Sequence, residues 1–145
     1  MDGGGTKPET MNKRNTSGKV FDKMERLCTY LLAYDSYVPR KYRYSIWEQM
    51  RNYLDMAQAC AEMAYLETDV LEKFSLVKDA RKYFRMFIRY QSRCDMTGEF
   101  RFGKVHSVDM VEFMDDIQGE LERWFAALKK QVRSGEIAVS PEHRV

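Results

Sequence analysis

Leu76-Val77-Lys78-Asp79-Ala80-Arg81-Lys82-Tyr83-Phe84-Arg85-Met86-Phe87-Ile88-Arg89-Tyr90 sorts its residues at helical spacing. Val77, Phe84, Phe87 and Ile88 share one side of a 3.6-residue helix, while Lys78, Lys82, Arg85 and Arg89 recur three or four apart on another. Arg81 stands beside that basic row, Arg93 continues it, and Asp79 is the one acid inside it. A strand would scatter both sets across its two faces, so the stretch predicts an amphipathic helix. Its pattern runs from about Asp69 to Cys94, with Val70 and Phe74 ahead and Thr68 or Asp69 placed to cap the start.

Three more patterns of the same period surround it. Met24, Leu27, Cys28, Leu31 and Leu32 predict a first helix that stops before Pro39, because proline disfavours helical geometry at Val38. From about Tyr44 to Leu66, Ile46, Met50, Tyr53, Leu54, Ala57, Cys60, Ala61 and Ala64 form a broad face whose small residues admit a close neighbour. Thr97-Gly98 and Gly103 then mark a loop, and Ser107 is placed to cap a last helix carrying Met110, Phe113, Met114, Ile117, Leu121, Trp124, Phe125 and Leu128 to about Val132. No strand alternation competes, so the expected fold is all-α, an up-down-up-down four-helix bundle. Tyr30, Tyr34 and Tyr37, with Leu76, Tyr83 and Tyr90, widen two stripes beyond one seam and predict a subunit interface.

Residues 1–18 hold almost nothing apolar and are expected to form a disordered tail ahead of a bundle domain at 19–132, with a second loose tail at 133–145. The chain has 145 residues and a net charge of +2. That balance leaves local clustering as the only route to nucleic-acid binding. No apolar run reaches a membrane span and no signal-peptide core opens the chain, which predicts a soluble, cytoplasmic protein with no membrane partner. Cys28, Cys60 and Cys94 are odd in number and lie within helical patterns, as reduced core thiols would.

Little in the sequence points to catalysis. His106 and His143 are the only histidines and neither stands at ligand spacing from a cysteine or a carboxylate pair. There is no Walker loop, dinucleotide fingerprint or Gly-x-Ser-x-Gly elbow, and no Glu-x-x-His pair for a bundle metal site. Asp109, Glu112, Asp115, Asp116, Glu120 and Glu122 read as a solvated helix face whose early members suit a helix N-terminus. No catalytic residue, metal or cofactor is expected.

Cations carry more information. The row Lys78, Arg81, Lys82, Arg85, Arg89 is either a phosphate-binding surface or is neutralised by the acidic start of the antiparallel last helix. A second cluster, Pro39-Arg40-Lys41-Tyr42-Arg43-Tyr44, places cations beside tyrosine rings that could stack on unpaired bases or anchor the turn.

The segments 38–44, 76–90 and Asp115-Asp116-Ile117-Gln118-Gly119-Glu120-Leu121-Glu122-Arg123-Trp124-Phe125 together resemble the accessory variability determinant proteins of diversity-generating retroelements. These belong to a superfamily of small four-helix proteins, some of them encoded in ribosomal RNA intervening sequences. The likeness covers roughly residues 20 to 130 in order and spacing. It implies a nonenzymatic protein that assembles as a homopentameric ring and binds a reverse transcriptase together with its template RNA or cDNA to support mutagenic cDNA synthesis. Arg85 and Arg89 match the family's basic pair, and Arg40 and Lys41 its Pro-basic-basic turn; Arg43, Lys78, Arg81 and Lys82 extend the two surfaces. Glu122 and Arg123 replace a pair of small residues before the family's tryptophan, and the chain is less basic than members active in retroelements. The alternative is an oligomeric interaction module of the intervening-sequence type, indifferent to nucleic acid.

Overall fold

The computed structural model describes residues 19–97 and 107–135, with side chains for all of these except 107–110. The expected tail at 1–18, the last ten residues, the loop glycines Gly98 and Gly103, His106, His143 and the side chain of Ser107 lie outside the described residues.

Every regular element among them is helical: α1 (Val20–Tyr34), a 3-10 turn (Asp35–Tyr37), α2 (Arg40–Arg43), α3 (Ile46–Leu66), α4 (Val70–Met96) and α5 (Ser107–Gly135). Local chemistry sets several of these limits. Val38 is extended, with φ −83° and ψ 128°, the geometry that a following proline favours. Pro39 then starts a single helical turn, its carbonyl accepting from the N–H groups of Tyr42 at 2.9 Å and Arg43 at 3.1 Å. The 40–43 stretch, expected as a turn, is therefore α2. Asp69 rather than Thr68 caps α4: its carboxylate accepts from the Glu72 N–H at 3.1 Å.

Pairings along the helices fix their directions. At one end of α1, Phe21 meets Tyr65 of α3 with ring centroids 5.3 Å apart. Beyond its other end, the Trp47 indole and the Arg51 guanidinium near the start of α3 both donate to Asp35. Phe74 near the start of α4 stacks on Phe125 in the second half of α5 at 5.1 Å, and Arg81 reaches Glu122 a turn further on. Lys23 and Arg26 of α1 meet α5 at Glu120 and Phe113 respectively. Neighbouring long helices thus run antiparallel and pack together as four.

Their apolar faces converge. Met24, Leu27 and Leu31 of α1 are buried with Met50 and Leu54 of α3, Phe84 and Phe87 of α4, and Ile117 and Leu121 of α5. Each such side chain stabilises the fold by about 1.5–3 kcal/mol relative to exposure. Ala57, Ala61 and Ala64 on α3 and Ala80 on α4 are also fully buried, so α3 and α4 approach closely.

The aromatic rows predicted as an interface are partly used inside the protomer. Tyr30 is buried, Leu76 packs on a small cluster of Ala64, Val77 and Leu128, and Tyr83 and Tyr90 both pack on Tyr53; only Tyr37 of the two rows stands well exposed. Cys94 is buried and Cys28 and Cys60 are half-buried, all three as free thiols. Among the described residues no helix is long and apolar enough to cross a membrane.

Candidate nucleic-acid interface

Helix α4 presents its cations away from the core. Val77, Ala80, Phe84 and Phe87 are buried, while Lys78, Lys82, Arg85 and Arg89 are exposed. From Lys78 to Arg93 the row spans about 22 Å at 1.5 Å per residue.

One carboxylate divides this row. Glu122 on α5 accepts from Arg81 Nε through both oxygens at 2.8 Å, and its Oε2 also accepts from Arg85 Nη2 at 2.9 Å. Arg81 is further held by stacking, its guanidinium carbon 4.2 Å from the Phe125 ring centroid. Neutralisation by α5 is therefore real but limited to the edge of α4 that faces it. Among the described residues Lys78, Lys82 and Arg89 form no ion pair.

The opposite edge of the row is aromatic. Tyr53 of α3 lies 6.4 Å from Tyr83 and 5.3 Å from Tyr90, and Lys82 and Arg93 extend over those two rings at 4.9 and 4.7 Å. Cations over half-buried tyrosine faces offer both phosphate attraction and stacking surface. Tyr53 reads in the sequence as an apolar-face residue of α3; only the antiparallel pairing of α3 with α4 brings it here.

The turn cluster divides too. Arg40 and Lys41 are exposed on α2, with the Lys41 ammonium 5.2 Å from the Tyr42 ring centroid. Arg43 instead folds inward, donating from Nη2 to the Val38 carbonyl at 3.1 Å. Tyr42 packs against the core, whereas Tyr44 is 71% exposed. Because α3 and α4 are antiparallel, α2 stands at the end of the bundle toward which Arg89 and Arg93 lie.

The acids of α5 do more than meet solvent. Asp116 and Glu120 both accept from the buried ammonium of Lys23, Asp116 at 2.8 Å, so these two carboxylates and Glu122 tie helices together. Burial opposes the Lys23 charge, but the hydrogen bonds to Asp116 and Glu120 outweigh it and hold its pKa above the ordinary value.

The thiols are held in their protonated form. Burial first, then the Asp55 carboxylate, pushes Cys28 up to about 12, and burial followed by Asp95 does the same for Cys94. Among the described residues no group of three or more His, Cys, Asp and Glu is arranged to hold a metal ion. Set against family models, curated proteins and solved structures, the chain yields no match to any of them.

Proposed function

We propose that this chain is a nonenzymatic accessory protein that holds template RNA or cDNA for a reverse transcriptase, in the manner of the accessory variability determinant proteins it resembles. The reading further has the protein cytoplasmic and assembled as a homopentameric ring, each copy adding one basic face so that a strand is gripped at several points.

The observation that supports it is the outer face of α4. Lys78, Lys82 and Arg89 point away from the core and form no ion pair among the described residues, beside the Tyr53, Tyr83 and Tyr90 cluster. Phosphates would engage the cations and release counterions, while unpaired bases would stack on the rings. Arg40 and Lys41 would extend the contact around the end of the bundle.

Single-stranded RNA titrated at several salt concentrations tests this. Replacing Lys82 and Arg89 together by alanine should weaken binding and lower the slope of log K against log salt by about 1.4, two phosphates at about 0.7 each. An unchanged slope with unchanged affinity would remove the RNA from the proposal.

A second reading rests on the outer face of α3, where Met56, Met63 and Leu66 are exposed at helical spacing and Val70 follows. Such a stripe fits an oligomeric interaction module that ignores nucleic acid. RNA titration separates the two readings, because only the first expects salt-dependent binding.

A further inference from the structure

At the end of the bundle where α1 and α4 begin and α3 closes, a cavity of about 400 Å³ opens between all four long helices. That volume falls within the range of small-molecule sites. Its walls are aromatic: Phe21, Tyr65 and Trp124. Trp124 packs on both core clusters, which makes it a fixed surface rather than a loose flap.

Charge at the cavity has one sign to spare. Lys19, Lys73 and Arg123 line it against a single carboxylate, Glu120, and that carboxylate is already engaged by Lys23. Lys19 sits over the Tyr65 ring, 4.8 Å from its centroid. Gly119 makes room for Arg123, whose Nη1 lies 3.2 Å from the point where a β-carbon would stand.

Aromatic walls alone would accept any apolar molecule, and cations alone any anion. We infer that this cavity binds a nucleoside monophosphate, with its base against Trp124 and its phosphate among Lys19, Lys73 and Arg123. A two-ring base uses the broad indole surface better than a single phenyl ring would, and stacking of a base on an aromatic side chain is sequence-tolerant. The same chemistry is presented by a free nucleotide and by the 5′-phosphorylated end of a single strand. The site is distinct from the α4 face and stands whether or not that face binds RNA.

The chain provides its own probe. It has two tryptophans, and Trp47 is buried at the far end of the bundle with its indole bonded to Asp35, so a nucleotide in the cavity should change the emission of Trp124 alone. Titration of the full chain with AMP should give saturable quenching with a Kd below about 1 mM. Lys73→Glu together with Arg123→Glu should raise that Kd at least about tenfold, as loss of two charge-assisted contacts requires. Lys82→Ala with Arg89→Ala should leave the AMP titration unchanged, which separates this site from the α4 face. A 5′-phosphorylated oligoribonucleotide that quenches where AMP does not identifies the strand end as the source; quenching by AMP identifies the free nucleotide. The inference is overturned if neither ligand quenches, if adenosine or phenyl phosphate matches AMP, or if the double glutamate variant, with an unchanged circular dichroism spectrum, binds AMP as the parent does.

Discussion

Arg81 Nε lies 2.8 Å from both carboxylate oxygens of Glu122, and this joint is what separates the neutralised edge of the α4 cation row from the open one. Replacing Glu122 by glutamine should release Arg81 and Arg85 toward solvent. RNA affinity should rise several-fold and its salt dependence steepen. The stability cost should stay below about 1 kcal/mol, since these groups are partly exposed. Filter binding at two salt concentrations with a parallel urea melt reads both quantities; an affinity that falls instead would mean Glu122 positions the arginines for RNA.

Lys23 gives a pH prediction with a definite sign. Its folded pKa is raised above 10.5, so the stability that its ion pairs contribute is whole below 10.5 and is lost as pH rises through the higher folded value. Lys23→Met should cost about 3 kcal/mol at pH 8, because Asp116 and Glu120 are left facing each other beside an apolar core. Urea midpoints should show the gap between parent and variant narrowing toward pH 12. A gap that stays constant would contradict the assignment.

Thiol chemistry should follow burial. With pKa values of about 12 against an ordinary 9.0, Cys28 and Cys94 carry roughly a thousandfold less thiolate at pH 8 than free cysteines. Iodoacetamide should therefore label both more than about 100-fold more slowly in the folded chain than in urea. Mass spectrometry of the labelled peptides decides this, and equal rates would show that the helices open around them.

Asp69 is the N-cap of α4. Asp69→Ala should remove the bond to the Glu72 N–H and destabilise by about 1 kcal/mol. The melting temperature should drop by about 3–4 °C for a chain of this size. Asp69→Asn should recover most of it, and Thr68→Ala should change little.

Much of this was legible in the sequence because helical periodicity is local. The faces of α3, α4 and α5 follow from apolar residues three and four apart, and Pro39 announces the break after α1 through its own ring. What could not be read is what only the pairing of distant segments decides. Glu122 stands thirty-seven residues from Arg85, so its role as partner appears only when α4 and α5 lie antiparallel. Tyr53, Tyr83 and Tyr90 form one cluster for the same reason. The 40–43 stretch carries no helical signal in the sequence because a single helical turn is too short to show a period. Arg43 has the composition of a contact residue, yet the carbonyl of Val38 takes its guanidinium.

The buried ammonium of Lys23 has one more consequence. Leucine and methionine are interchangeable enough that an entirely apolar α1 could seat at several heights against its neighbours. Asp116 and Glu120 lie one turn apart on α5, so sliding α1 by one turn, about 5.4 Å, would take Lys23 off one of the two carboxylates it now bridges. Lys23 thus works as an index pin: the present depth of α1 is the one at which its ammonium is shared between Asp116 and Glu120.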